Sequence, residues 1–553
     1  DQLAITLPVP ADWPAVALAA DDGRLLPTQE LERPATELAR EQVPAARLST
    51  VMGRVHDREL FGLQVRRLDV DEAGRELVFH VADRPGPERF DAVREEGRVA
   101  SAVAGRPGEE LWTLVIVDEP RRRLVAAVEC DGLGWSAWTP TRAEGHPDRG
   151  RTDPASSAAA VGIGPGVGVG VGVGVEGTSL TSPLLRVDVL DSGSLRLASA
   201  DGTVLDGVGT LVDGGDCGDS YNYGPPAEDR VVDTPDRVEV QVLERGPLRA
   251  ALEVRRDYRL PTRLEADGSR STTTEAVTVT TRVELRRGEP FARLALAWEN
   301  RSSDHRLRLL VPLARPTSTV DAEGQLAVVR RPLTAEGGTG GEFPLPTYPA
   351  ERFVDAGGAG VLLGRTMEHE VVDTAGGQAL ALTLLRSIGY LSRNVHPHRD
   401  EPAGPQLPTP QAQCLGPATA ELAVLPHAGG WEDAALVAAA EGYLHPVVAV
   451  RGTAADPLPP AAVSAAGRPT ALRLDGPGVV LTSLRRREEW LELRVVAEST
   501  GPTRAVVGLA GSDITQARRC DLLGRPGEPL EVADGQVRLP LGPWEIATVQ
   551  LRP

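Results

Sequence analysis

The sequence predicts an all-β protein: one large antiparallel sandwich flanked by smaller β-sandwich domains, with few short helices. Three observations predict it. Apolar residues recur at every second position over long runs. Val277, Val279, Thr281, Val283 and Leu285 alternate with Thr278, Thr280, Arg282, Glu284 and Arg286. That period puts one strand face in a core and the other in water. Helical patterns are confined to Asp91–Ala104 and Trp431–Tyr443. Finally, 41% of the 553 residues are hydrophobic, enough for large cores, at a length that usually makes roughly three or four domains.

Residues 1–145 read as an N-terminal β domain. Leu3, Ile5 and Leu7 alternate with Ala4 and Thr6, and Val65–Leu68, Glu76–Val81, Leu111–Val117 and Leu124–Val128 read as further strands. In the Asp91–Ala104 helix, Val93, Val99 and Val103 share one loose face. Trp135 and Trp138 close the unit, either as core or as a sugar platform. Residues 146–178 read as a linker, because glycine alternating with valine from Gly166 to Val175 is entropically costly to order. Residues 179–428 form the large sandwich. Val187, Val189, Leu195, Leu197, Val204 and Leu205 seed an opening meander, and strands follow at Val238–Leu243, Val277–Arg286, Phe291–Trp298, Leu307–Val311, Gly360–Leu363 and Leu382–Leu385. Pro344–Pro349 reads as a loop. Residues 429–553 join a short helix to a small C-terminal sandwich with strands at Val479–Leu481, Trp490–Val495, Ala505–Leu509 and Ile546–Leu551.

The net charge is -19, which argues against nucleic acid or an anionic membrane as partner, since both demand a basic face. No apolar run approaches the ~20 residues of a membrane span. All positive side chains are arginines, so lysine Schiff-base chemistry is excluded. Cys130, Cys217, Cys414 and Cys520 are widely spaced, without zinc-ribbon pairs, as expected of a reducing cytoplasm. A chain opening on Asp1 and running directly into a strand is expected to be a piece of a longer protein.

Two stretches carry polar chemistry. Asp213–Pro226 reads DGGDCGDSYNYGPP. Its glycines and double proline shape a loop presenting Asp216, Asp219, Tyr221 and Tyr223; the same residues also suit a tight acidic turn. Ala379–Gly416 runs from a buried strand into a proline-rich loop with Arg386, Tyr390, Arg393 and Arg399. Such arginines clamp hydroxyls or carboxylates, or pair with the plentiful acids. His396 and His398, with Asp400, offer zinc-type donors without an identifiable converging partner. The 78 acidic residues do not reveal a glycosidase pair, and neither a nucleophile elbow nor a phosphate loop is present.

Gly215–Pro226, Asn300–Leu309 (NRSSDHRLRL), Asp355–Val371, Arg386–Gly416 and the closing PWEIAT at Pro543–Thr548 resemble the C-terminal half of family 38 glycoside hydrolases, bacterial α-mannosidases related to mannosylglycerate hydrolase. Val9–Pro14 and Leu26–Gln29 resemble the β domain that begins that half. The resemblance implies a galactose-mutarotase-like supersandwich for 179–428. It implies that the catalytic residues lie upstream of this chain, a nucleophilic aspartate and a zinc ion sitting in an N-terminal barrel, with retention of configuration; no metal or cofactor is expected in this chain. It gives the chain the role of completing an α-mannoside site beside its own catalytic domain. The substrate-binding candidates are Tyr221 and Tyr223, with Asp219 in the same loop, and Arg386 or Arg399, with Arg393 a third option. Asp400-Glu401-Pro402 departs from the usual pattern and leaves the arginine's placement open. The alternatives are a stand-alone carbohydrate-binding or scaffolding module, and a mutarotase-like or lyase-like sandwich with its own site. Self-association is open.

Overall fold

The computed structural model describes residues 2–20, 23–56, 59–84, 89–128, 133–143, 172–335, 341, 343–450, 452 and 471–553. The chain divides into two compact units, one of residues 3–127 and 137–150, the other of 1–2, 128–136 and 151–553. Among the described residues no helix is long and apolar enough to cross a membrane.

In the smaller unit, two three-stranded sheets accompany a five-stranded one. The expected strands form, but one pair is parallel: Glu76–Ala82 runs beside Leu111–Asp118 in the same direction. Parallel neighbours need a crossover, and the helix Ala92–Val103 supplies it, its first turn capped by the Asp91 carboxylate on Arg94 N. Its inner stripe is Glu95, Val99 and Ala102, packed with Leu68, Phe79 and Trp112. Val93, expected on that stripe, is 80% exposed, because the buried spacing of four and three residues from Glu95 leaves it on the opposite side.

The larger unit opens with a five-stranded meander, Gly174–Glu176 to Val204–Val208. The expected linker therefore ends early. Val173 is buried, its N–H donates to Pro247 O at 2.9 Å, and residues 174–176 pair with 179–181. The rest of the Gly-Val run lies outside the described residues. A nine-stranded sheet and a five-stranded sheet follow. Their inner faces meet in one core with the meander, through Leu252, Val283, Leu309, Val361, Leu382 and Leu422, as alternation in the strands requires. Tyr348–Ala350 is an edge strand that overlaps the end of the expected Pro344–Pro349 loop.

The other face of the nine-stranded sheet carries Phe353, Leu362 and Ala423, covered by Trp431 and the helix Leu436–Leu444. The helix begins five residues later than its pattern suggests because Ala435 is left-handed, with φ 50°. The C-terminal sandwich of four and five strands has its own core around Leu493, Val507, Leu539 and Val549. Trp544 of the PWEIAT motif stacks on Trp431, ring centroids 6.2 Å apart.

One guanidinium joins these layers. Arg352 donates to Glu323 of the large sandwich (3.1 Å), Glu441 of the helix (2.5 Å) and Glu498 of the small sandwich. Three carboxylates thus face one positive charge. Burial, then the neighbouring Glu323 and Glu441, push Glu498 up to about 7 against the pull of Arg352. The folded chain holds this proton more tightly than the unfolded chain, so stability falls as pH rises from the ordinary glutamate range through about 7. We expect Glu498→Gln, which keeps an oxygen for Arg352, to melt above the parent at pH 8 and level with it at pH 4.5. Thermal melts across that range check this, and parallel curves would refute it.

Candidate functional site

The strand Thr210–Gly215 pairs with His305–Pro312, Gly215 lying opposite His305. Where it ends, the chain makes a tight loop closed on itself. Cys217 N donates to Gly224 O (2.6 Å) and Asp219 N to Asn222 O (3.1 Å). A Cβ on Gly218 would lie 2.1 Å from Asn222 O, so only glycine fits the doubling back.

Two carboxylates form the inside of this loop. Asp216, fully buried, accepts from Gly218 N (2.8 Å) and Gly224 N (3.1 Å) with one oxygen and from Arg386 Nε (2.8 Å) with the other. Arg386 Nη2 also reaches Asp219 O (3.0 Å) and Asn222 O (2.9 Å). Asp219, equally buried, accepts from Tyr221 N (3.1 Å), Asn222 N (3.2 Å) and Arg393 N (2.8 Å), and from Arg399 Nη2. Burial raises its pKa, but the donors from Arg393, Arg399, Asn222 and Tyr221 outweigh burial and hold it below the ordinary value.

Beneath the loop lies a buried polar pedestal. Asp213 pairs with Arg270 and with His305, whose other ring nitrogen faces Asn300 Oδ1 at 3.0 Å. Asn300 Nδ2 donates to Ser387 Oγ, Gln413 O and Cys414 O, each at 3.1 Å. The strand leading into the loop is thereby tied to the strand that starts at His305, and that one, through Asn300, to the strand that ends at Ser387. Asp213, Arg270 and the His305–Asn300 link were not identified as a unit in the sequence. The NRSSDHR motif was their visible trace.

On this support the expected residues divide. Tyr221 is 54% exposed, with the Arg399 guanidinium 5.6 Å from its ring centroid. Arg399 is buried, and its Nε and Nη1 have no partner among the described residues. Tyr223 is half-buried against Arg306 (4.4 Å), its phenol pushed up to about 12 by burial. Arg306 is itself tied to Glu368 (2.6 Å) and Glu370 (3.0 Å). Arg386 and Asp219 are committed to the loop, so they position Tyr221 rather than face outward. Arg393 donates to Gly218 O (2.9 Å) and stacks on Tyr390.

His396 points Nε2 at Asn222 O (3.1 Å) and accepts His398 N on Nδ1 (3.1 Å). Both nitrogens are engaged, and burial lowers the pKa of His398. Among the described residues no three His, Cys, Asp or Glu side chains gather as a metal cradle. These residues therefore do not fit a zinc ion.

Residues 478–549 match the family described as "Glycosyl hydrolases family 38 C-terminal beta sandwich domain". The chain is 26% identical over 298 residues to a Halalkalibacterium halodurans protein named "Putative mannosylglycerate hydrolase", a match covering 50% of this chain and 31% of that protein. Two solved Enterococcus faecalis structures share its fold at 18% identity and cover 97% of it. One is a family 38 glycosyl hydrolase (TM-score 0.58, 58% of that chain), the other an α-mannosidase (TM-score 0.60, 56% of that chain). The chain thus spans under a third of the curated relative and somewhat over half of the solved chains.

Arg386 is the member whose loss exposes the loop's dependence on charge. Arg386→Ala strands the buried Asp216 carboxylate, a change of roughly 3–5 kcal/mol for a broken buried pair. Chemical denaturation should show that loss, and hydrogen exchange should show faster exchange at Gly218 and Gly224. Unchanged protection at both amides would refute the role.

Proposed function

We propose that this chain, a relative of the family 38 glycoside hydrolases, forms one wall of an α-mannoside site in a larger retaining α-mannosidase. The observation that carries the reading is Tyr221, exposed on a loop held by two buried carboxylates, with the buried Arg399 guanidinium 5.6 Å from its ring centroid. A phenol can donate to or accept from a sugar hydroxyl, and the Arg399 guanidinium, buried beside its ring and bonded to Asp219, helps to fix the loop that carries it. Held in place before the ligand arrives, the phenol loses little entropy on binding. The bond-breaking carboxylates and the zinc belong, in this reading, to the rest of the enzyme, so the chain by itself binds weakly and does not hydrolyse. The relatives named above support glycoside chemistry; the α-mannoside and the catalytic partner domain are inferred from the resemblance.

Two measurements test this. In the complete enzyme, Tyr221→Phe should lower kcat/KM on an aryl α-mannoside by about tenfold, the value of one hydrogen bond to substrate. The separate chain, supplied with zinc, should give no turnover. Full activity of the Tyr221 variant would remove Tyr221 from the site. Turnover by the separate chain would place the chemistry here, and tight mannoside binding without turnover would favour a stand-alone binding module.

A further inference from the structure

The strand His305–Pro312 starts at the tyrosine loop and runs eight residues to the opposite end of the large sandwich, about 25 Å at the rise of a strand. Three residues beyond it, Arg315 lies at a half-open surface pocket of about 140 Å³, lined also by Thr317, Thr319, Asp321, Asp355 and Gly430. A single bound water needs only about 10–15 Å³ by the same measure, so the space exceeds what one water fills.

The polar groups in this pocket are held, yet not used up. Arg315 donates Nη1 to His427 O (3.3 Å) and Nη2 to Gly429 O (2.6 Å), and no carboxylate among the described residues pairs with it. Asp355 Oδ1 is fixed by His427 Nε2 at 3.0 Å, and its Oδ2 has no hydrogen-bond partner among the described residues. Thr317 is locked, donating to Thr319 O at 2.8 Å, whereas the Thr319 hydroxyl is free among the described residues. Asp321 is neutralised by Arg330, both bonds 2.8 Å. Close approach is possible because Gly358 leaves room for Arg315: a Cβ there would lie 2.7 Å from Nη1.

The charges balance. Arg315 offsets Asp355, and Arg330 offsets Asp321, so neither an anion nor a cation is favoured. What remains is a carboxylate acceptor, a guanidinium donor and a two-way hydroxyl, the complement of adjacent hydroxyl groups. We propose that this pocket is a second ligand site, taking a small neutral polyhydroxyl compound of the size of glycerol to one sugar ring. No aromatic side chain lines it, so the ligand is held at its edges by hydrogen bonds and weakly. This site is separate from Tyr221 and does not rest on the function proposed above.

The test is saturation-transfer NMR and calorimetric titration of the whole chain with glycerol and D-mannose. Inorganic phosphate and calcium serve as charged probes. Saturable binding of a neutral probe is expected, weakened tenfold or more in Asp355→Asn and in Thr319→Val. Asp355→Asn keeps an oxygen for His427, and the melting temperature of both variants serves as the folding control. The proposal is overturned if neither neutral probe binds saturably, if phosphate or calcium binds there instead, or if binding of the neutral probe is retained in both Asp355→Asn and Thr319→Val.

Discussion

Two buried aspartates set the geometry of the tyrosine loop, and the neighbouring elements are arranged to meet their oxygens with donors. Removing a carboxylate from water is expensive unless its oxygens are met by donors. Asp216 and Asp219 are met by backbone N–H groups of their own loop and by Arg386, Arg393 and Arg399 from a segment some 170 residues later. The anions therefore act as a template: the backbone wraps them, and Tyr221 is carried outward by the wrapping.

The same need explains what arginine does throughout this lysine-free chain. Arg386 satisfies three acceptors in three directions, and Arg352 spans three carboxylates from three layers. A planar fork with five N–H donors can divide itself this way, while an ammonium offers three donors from one point. Arg256 shows the limit. Buried among core strands, it finds Gly209 O (2.6 Å) and Thr281 Oγ1 (3.0 Å) but no carboxylate among the described residues, and burial lowers its pKa.

Much of the fold was legible because alternation is imposed by the pleat. Val277 to Leu285 had to face inward at every second position, and they do. The parallel pair around the Ala92–Val103 helix was not legible, since two short apolar strands give the same pattern in either direction. At the candidate site, residue type pointed to two polar loops, and only the family resemblance singled out Tyr221 within them. Residue type did not separate Asp219, a buried template, from an acid that touches ligand, because burial depends on backbone donors that exist only once the loop has closed. Asp213, Arg270, His305 and Asn300 were equally hidden as a group, being brought together by pairing across strands far apart in sequence.

The crowding at Gly218 has a consequence for how this loop can vary. Its closure depends on backbone atoms converging on two carboxylates, so what is fixed is the number of residues between Asp216 and Gly224. Asn222 contributes its main-chain N–H and carbonyl to four hydrogen bonds, and exchange of its side chain leaves both atoms in place. One inserted residue would displace them together. At Asn222 the loop is tolerant of spelling, and throughout it is intolerant of a change in length.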